Sequence, residues 1–357
     1  MTTITGALRR SQRLAVALAL AMPALSFVSL TTAFVVDTHI CQHYPSTNDN
    51  DLATHRSCVL RSFGKNYVDF GDTQNGPITE YNRVPIIAGN WKLNPTTVQE
   101  ASALLNLLAS NFINHRNGVG DGAPVPEVVV FPPFPFLERA VAGLEGTGIK
   151  VGAQNAGIET KGAFTGEVSP SMVRSLGCDY LMVGHSERRT LFKESDETIN
   201  AKIKLSLKEG LNIILCVGET LEEYENNLLS SVVNFQIKKA MAGIKKYDIV
   251  DAVSTAANTR LVIAYEPVWA IGTGKVATPQ QAQVAHEVVR NTLEELYGVD
   301  LAESIRIQYG GSVTPDSISD LISMPDVDGA LVGGASLTAD GFTRIVDGSA
   351  APPLLYW

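Results

Sequence analysis

The sequence predicts an α/β protein in which eight parallel strands close into a (β/α)8 barrel. Short apolar runs of strand length recur along residues 83–348, and segments with helical signals lie between them. Near-continuous apolarity within a run is typical of a strand that is buried on both faces, as in a parallel sheet. Eight such units in about 265 residues match the usual length of this barrel. The runs span residues 84–88, 128–131, 149–153, 180–183, 213–217, 261–265, 305–309 and 330–332.

Capping signals predict helices between these runs. Thr97 with Glu100 fits the capping box, in which two side chains satisfy free backbone N–H groups at a helix start. Proline at first helical positions and glycine at helix ends mark further boundaries. The other signals are the pairs Thr220 with Glu223 and Thr278 with Gln281, the prolines Pro170 and Pro279, and the glycines Gly177, Gly210 and Gly298.

Alternation of strands and helices also fits a doubly wound open sheet. The count of eight strands and the absence of a GxGxxG pattern after the first one favour the barrel. Two segments, 114–126 and 245–259, look inserted. Both precede strands, which predicts that they lie on the side of the barrel away from the chemistry.

The composition excludes several classes of protein. With 45% hydrophobic residues the chain has enough apolar side chains for a large core, which excludes a globally disordered protein. The 28 Lys and Arg against 37 Asp and Glu give a net charge of −9. This charge argues against nucleic acid as a partner, because phosphate backbones demand a basic surface. The four cysteines form no CxxC pair and predict no disulfide framework. They are Cys41, Cys58, Cys178 and Cys216.

Residues 1–82 lack the alternating strand and helix pattern of the rest of the chain. They predict a targeting presequence with a linker, mostly disordered. Three arginines between residues 9 and 13 precede an apolar run over 14–34, and Thr31 and Ala33 fit a cleavage after Ala33. These are the parts of a secretory signal. The run is also long enough to anchor in a bilayer or to pack as a surface helix, although Pro23 and the basic flank count against these alternatives. Residues 349–357 are predicted to form a C-terminal tail.

Polar groups follow the ends of the predicted strands, where barrel enzymes carry their catalytic residues. One ammonium, one imidazole and one carboxylate, from Lys92, His185 and Glu266, follow the first, fourth and sixth strands. Glycine turns at residues 310–312 and 333–334 follow the seventh and eighth strands, where barrels commonly bind phosphate. Each feature alone is weak, since a lone Lys, His or Glu after a strand is usually a surface residue. Their convergence on one face predicts a catalytic site that binds an anion.

Five longer motifs carry a resemblance to a known family. They are AGNWKLN at 88–94, GHSERR at 184–189, AYEPVWAIGTGK at 264–275, QYGGSV at 308–313 and GALVGGASL at 329–337. In order and spacing they resemble triosephosphate isomerase, over about residues 83–348. The resemblance implies a homodimeric TIM barrel that interconverts dihydroxyacetone phosphate and D-glyceraldehyde 3-phosphate in glycolysis, gluconeogenesis or carbon fixation. It implies neither a metal nor an organic cofactor.

The resemblance also implies catalytic roles for individual residues. Moving a carbonyl by one carbon requires removal of a neighbouring proton, and Glu266 would be the base that carries it. His185 would donate a hydrogen bond to the developing oxyanion, as a neutral imidazole whose pKa is lowered by a helix N-terminus. Lys92 would add positive charge at the same oxygens, and Asn90 a further polar contact.

Supporting groups complete the predicted site. Ser186 and Glu187 open the helix that follows His185, and Glu187 would orient the lysine or the histidine. Residues 267–276 would form a lid, because an enediolate in water loses phosphate and closure excludes water.

In the family, the loop that corresponds to residues 162–167 protrudes into the partner subunit. The groups implied to bind the substrate phosphate through N–H bonds are Gly272, Ser312, Gly333 and Gly334.

Competing interpretations differ in the residues that they require. Another phosphate-binding barrel enzyme, such as a sugar-phosphate epimerase, would keep the glycine turns but not the set of Lys92, His185 and Glu266. A non-catalytic barrel is expected to have lost a member of that set, and none is lost. A membrane-tethered enzyme is a third alternative, which depends on whether the apolar run 14–34 is cleaved.

Residues 1–82 also predict the compartment to which the protein is directed. An enzyme of this type has no obvious substrate outside the cell, so a signal followed by a transit segment fits best. Such a two-part presequence resembles those of plastids that are wrapped in extra membranes. Asp37, Asp49 and Asp51 count against a simple transit peptide, which is usually poor in acidic residues. We therefore expect a plastid enzyme without stable membrane association of the mature protein, with mitochondrion and cytoplasm as alternatives.

Overall fold

The computed structural model describes residues 83–118, 125–250, 259–271 and 277–350, and the predicted (β/α)8 barrel is confirmed there. The predictions for residues 1–82 and 351–357, for Gly272 and for lid residues 273–276 lie outside the described residues. The eight strands are β1 Ile86–Asn90, β2 Glu127–Phe131, β3 Lys150–Ala153, β4 Tyr180–Val183, β5 Asn212–Val217, β6 Leu261–Tyr265, β7 Arg306–Tyr309 and β8 Gly329–Val332.

Every strand pairs in parallel with its neighbours in sequence, and β8 pairs with β1 to close the barrel. Ile87 of β1 illustrates the closure, since it lies opposite Val128 of β2 and Ala330 of β8. Because all eight strands run in the same direction, the residues that follow their carboxyl ends meet at one face of the barrel.

Successive residues of every strand except β3 and β7 enter two different cores, because side chains alternate between the two faces of a sheet. One core contains only strand residues, among them Ala88, Val129 and Met182, and fills the interior of the barrel. The other joins the outward-facing residues, such as Ile87 and Leu181, to the apolar sides of the helices. Burial on both faces explains why the strands read as continuous apolar runs.

Helices between the strands begin where the capping signals predict. Thr220 with Glu223 and Thr278 with Gln281 form complete capping boxes, and Thr97 exchanges hydrogen bonds with Glu100 in the same way. None of the helices in the described part of the chain is long and apolar enough to cross a bilayer. The helices are α1 Val98–Gly118, α2 Leu137–Gly143, α3 Pro170–Ser175, α4 Ser186–Leu191, α5 Asp196–Lys208, α6 Leu221–Glu225, α7 Leu229–Ala240, α8 Lys246–Ile249, α9 Pro279–Tyr297, α10 Val299–Ser304, α11 Ile318–Ile322 and α12 Ala339–Ser349.

The structure differs from the sequence-based expectations at several boundaries, including those of β1, α1 and α12. β1 ends at Asn90, two residues after the predicted run, because the backbone of Asn90 pairs with that of Phe131 whatever the polarity of its side chain. The segment 114–126 is not wholly an inserted loop, since α1 continues to Gly118. α12 runs to Ser349, one residue beyond the predicted end of the barrel.

Candidate active site

A cavity of about 790 Å³ opens at the carboxyl end of the barrel. Its walls come from the segments that follow β1, β4, β6, β7 and β8, as the positions of the motifs predict. Of the ten residues that the sequence proposes for the site, nine lie in the described part of the chain, and all nine line this cavity. They are Asn90, Lys92, His185, Ser186, Glu187, Glu266, Ser312, Gly333 and Gly334.

Glu266 follows β6 directly, and its side chain is almost completely buried. One carboxylate oxygen, Oε1, lies 3.0 Å from Nε2 of His185, and the other accepts a hydrogen bond of 2.8 Å from the backbone N–H of Ser186. Burial raises the pKa of Glu266, but the imidazole and the N–H group outweigh it and hold the pKa below its ordinary value. The carboxyl group is therefore held ionised, which is the state that a base requires.

His185 is the N-cap of α4, and its ring has two different hydrogen-bonding edges. Nδ1 accepts a bond of 3.2 Å from the backbone N–H of Glu187, so the ring proton lies on Nε2 and faces Glu266. Burial lowers the pKa of His185, yet the nearby Glu266 carboxylate raises it above its ordinary value. The predicted lowering by the helix N-terminus is thus not found in this arrangement, because a buried carboxylate lies against the ring.

Lys92 and Glu187 form an ion pair at the rim of the cavity. Nζ of Lys92 lies 2.6 Å from Oε1 of Glu187, and both side chains keep a substantial exposed fraction, 30% and 43%. Oε2 of Glu187 also lies 3.7 Å from Nδ1 of His185. The sequence leaves open whether Glu187 orients the lysine or the histidine, and in the structure it contacts both.

Asn90 uses its side chain within the protein. Its Oδ1 accepts a hydrogen bond of 3.0 Å from the backbone N–H of Lys92. Its Nδ2 lies 3.8 Å from the sulfur of Met182, which is a weak acceptor. Asn90 thus shapes the turn that carries Lys92 while also lining the cavity.

The glycine turns that follow β7 and β8 line the cavity. A Cβ atom added at Gly334 would meet no heavy atom within 4 Å, and one added at Gly333 would come 3.7 Å from Cε of Lys92. Gly334 also opens a short 3-10 turn over Gly334–Leu337. Backbone N–H groups in such turns bind anions without basic side chains.

Glu219, which follows β5, is a supporting residue that the sequence reasoning missed. Its Oε1 accepts hydrogen bonds of 2.9 Å from the Tyr265 hydroxyl and 2.8 Å from Nε1 of Trp269, on either side of Glu266. Burial raises the pKa of the Glu219 carboxyl. The sequence does show Glu219 as a charged residue shortly after a strand. The capping box that begins at Thr220 already explains a polar segment at this point, so Glu219 was not singled out.

A buried carboxylate and an imidazole, with an ammonium group at the rim and glycine turns alongside, define a barrel enzyme that moves protons on a small anionic substrate. Comparison with known proteins shows its family. The family model described as triosephosphate isomerase matches residues 85–349, and the chain therefore belongs to the triosephosphate isomerase family.

Curated relatives with that name agree over the same part of the chain. The protein of Carboxydothermus hydrogenoformans is 50% identical over 267 residues, which are 75% of this chain and 99% of the relative. That of Roseiflexus sp. is 48% identical over 264 residues, 74% of this chain and 97% of the relative. That of Chlorobium luteolum is 45% identical over 264 residues, 74% of this chain and 98% of the relative.

Proposed function

We propose that this chain interconverts dihydroxyacetone phosphate and D-glyceraldehyde 3-phosphate through an enediolate, with Glu266 as the base. The observation that carries the proposal is the contact between Glu266 and His185 at the cavity. It joins an ionised carboxylate, which accepts a proton, to an Nε2–H group, which stabilises charge on oxygen. Family membership supports the same reaction.

The proton moves between two neighbouring carbons. Glu266 removes a proton from the carbon beside the carbonyl, and the electron pair of that C–H bond moves toward the carbonyl oxygen to form the enediolate. Glu266 then returns the proton to the other carbon, while a hydroxyl proton passes from one oxygen to the other beside His185. The Lys92 ammonium group stabilises the negative charge on these oxygens. The reaction needs only acid–base groups, so neither a metal nor an organic cofactor belongs to the proposal.

The phosphate of the substrate binds at the glycine turns. Backbone N–H groups of Ser312, Gly333 and Gly334 donate to it, and we include Gly272 from the resemblance alone. This arrangement fixes one end of the substrate, and the reacting carbons then lie beside Glu266. We include a lid over residues 267–276 from the resemblance alone, since its closure would exclude water from the enediolate.

A coupled assay of both triose phosphates tests the proposed function, using protein that begins at about residue 82. We expect conversion in both directions, and we expect it to persist after dialysis against a metal chelator. Protein that is folded by circular dichroism but converts neither substrate would contradict the proposal. Turnover that disappears with the chelator would contradict the metal-free chemistry.

The mature enzyme is proposed to be a homodimer. Ile158, Phe164 and Met172 line one groove beside the loop 162–167 and are each about half exposed, at 49%, 49% and 52%. Leu191, the last residue of the helix that begins at Ser186, is 70% exposed, and Phe192, which follows it, is 66% exposed. Exposed apolar side chains of this size support contact with a second copy.

Analytical ultracentrifugation tests the assembly. We expect a dimer at micromolar concentration, and a monomer of low activity when residues 162–167 are shortened. A fully active monomer of the parent protein would refute the dimer.

Residues 1–82 are proposed to direct the protein to a plastid, by a signal followed by a transit segment. Fusion of these residues to a fluorescent reporter in the source cell tests the address. We expect the reporter in the plastid after cleavage. Diffuse cytosolic fluorescence from an uncut fusion would refute an organelle address, and fluorescence in mitochondria would refute the plastid.

A further inference from the structure

Lys92 has a backbone conformation that lysine rarely adopts. Its φ is +54°, in the left-handed region where a side chain crowds its own backbone. Residues held in such conformations persist only when surrounding contacts fix them, and they concentrate at functional sites. The contacts of the Lys92 backbone therefore bear on the position of its ammonium group.

Both polar groups of the Lys92 backbone are held by amide side chains. The N–H group donates to Oδ1 of Asn90 at 3.0 Å. The carbonyl oxygen accepts a bond of 2.8 Å from Nε2 of Gln154, which follows β3 directly. The residue is thus held from two sides, by one group on its own strand and one group two strands away.

The same nitrogen of Gln154 makes a second bond, of 2.7 Å, to the carbonyl oxygen of Phe131 at the end of β2. That oxygen also accepts a bond of 3.2 Å from the backbone N–H of Trp91. An amide NH2 group has two donors, and here both are used on carbonyl groups. Gln154 therefore joins the carboxyl ends of β1, β2 and β3 at the point where Lys92 begins its turn.

We propose that Gln154 is a positioning residue for the reaction: its side-chain amide holds the backbone of Lys92 in the left-handed conformation and so aims the ammonium group into the cavity. The inference rests on the proposed function, since it concerns the lysine of that site. Without the amide, the Lys92 backbone relaxes toward negative φ, and Nζ leaves its place beside Glu187, from which it lies 2.6 Å in this structure.

The chemistry of the contact requires an amide. Methionine has similar length but no donor, so Gln154→Met removes both bonds at nearly constant volume. Gln154→Glu keeps the shape, but its carboxyl group has at most one donor, and only when it is protonated. We expect both variants to fail in the same way, and the methionine variant, which has no donor, to fail at least as severely.

The test is a double-mutant cycle with kcat and KM measured for each protein. We expect Gln154→Met to lower kcat/KM by roughly ten- to a hundredfold, because small displacements of a catalytic group have effects of this size. We expect kcat and KM to contribute to this loss in the same ratio as they do in Lys92→Met. In a Lys92→Met background the same substitution changes kcat/KM by less than about twofold, because a residue that acts through Lys92 has nothing left to position.

Gln283 offers a matched control. Its side chain also makes two hydrogen bonds, to the carboxylate and the backbone N–H of Asp326, and it does not line the cavity. We expect Gln283→Met to leave kcat and KM unchanged at temperatures below its unfolding transition. A loss like that of Gln154→Met would show that the cycle reports general loosening, and it would overturn the inference.

Two further results would overturn the inference: an unchanged kcat/KM in Gln154→Met, or the full loss repeated in the Lys92→Met background. Gln154→Glu replaces the methionine variant if that protein does not fold. A crystal structure of either variant gives a reading independent of turnover, since Lys92 at an unchanged φ overturns the inference and a negative φ supports it. A folded parent without isomerase activity contradicts the proposed function, and the φ of Lys92 in the variant then still decides whether Gln154 holds this residue.

Discussion

The two ends of the barrel both gather charged side chains, but in different surroundings. At the amino end, the first residues of β2, β3, β4 and β7 meet. The Glu127 carboxylate accepts hydrogen bonds of 2.8 Å from Lys150, 2.6 Å from the Tyr180 hydroxyl and 2.6 Å from Arg306. Burial raises the pKa of Glu127, but the charges of Arg306 and Lys150 outweigh it and lower the pKa to about 2.

At the carboxyl end, the charged groups follow the strands and border a cavity of about 790 Å³. Lys92 and Glu187 pair at its rim, while Glu266 and His185 pair beneath them. The two clusters differ in what their side chains contact. The side chains around Glu127 bind one another, whereas those at the carboxyl end border a cavity that a ligand can fill. Charged clusters of similar composition are therefore expected to contribute to stability at one end and to catalysis at the other.

The largest effect is expected from Glu266→Gln, which keeps the size of the side chain and removes the base. Turnover should fall by at least roughly 10²- to 10⁴-fold, the contribution of general base catalysis. The measurement is kcat in the coupled assay, with the unfolding midpoint recorded beside it. Near-normal turnover in a folded variant would remove Glu266 from the mechanism.

Glu127→Gln is the matching change at the amino end and should have the opposite profile. It leaves Arg306 and Lys150 without their carboxylate. Because these ion pairs are only partly buried, the loss of unfolding free energy should be at most about 3–5 kcal/mol, the loss for a fully buried pair. Urea denaturation measures the loss, and kcat below the transition should stay near that of the parent. A large fall in kcat with unchanged stability would break the comparison between the two ends.

The pH dependence of stability sharpens the same comparison. Since the pKa of Glu127 is lowered from 4.5 to about 2 in the folded protein, its contribution is complete above pH 4.5 and is lost as pH falls toward 2. The difference in unfolding free energy between the parent and Glu127→Gln should therefore shrink on acidification, by about 3 kcal/mol across this window. A difference that stays constant from pH 7 to pH 2.5 would show that the charge of Glu127 is not its source.

The smallest effect is expected from Gly334→Val, which places a side chain in the open space of the cavity. If the new side chain displaces one N–H bond to phosphate, KM should rise roughly tenfold. Gly143→Ala is a suitable control, because Gly143 ends α2 and its added Cβ comes no closer than 3.8 Å to the nearest side chain, that of Leu105. Equal KM values for the two variants would place phosphate binding elsewhere.

Much of the fold was predictable because parallel strands bury both faces. Seven of the eight apolar runs match the observed strands to within one residue at each end. The first run is shifted by two, since Gly89 and Asn90 pair through their backbones while their side chains carry no hydrophobic signal. Hydropathy reports side-chain burial, whereas strand boundaries depend on backbone hydrogen bonds.

The placement of Lys92, His185 and Glu266 around one cavity was predictable because each follows a strand, but the residues that contact them were not. Gln154 holds Lys92 from 62 positions away, and Arg306 reaches Glu127 across 179 positions. Contacts of that separation leave no periodic trace in the sequence. The direction of the His185 pKa was also missed, because it depends on how close the Glu266 carboxylate comes to the ring.

His185 makes two contacts that differ in which other residues could replace it. Its Nδ1 caps α4 while its Nε2 faces Glu266. Ser, Thr, Asp and Asn cap helices well, but their short side chains do not extend past the cap to a second partner. In a library randomised at this codon, selection for thermal stability would retain several of these residues, and selection for turnover would retain histidine alone. The contact with Glu266 thus confines this position more tightly than the capping of α4 does.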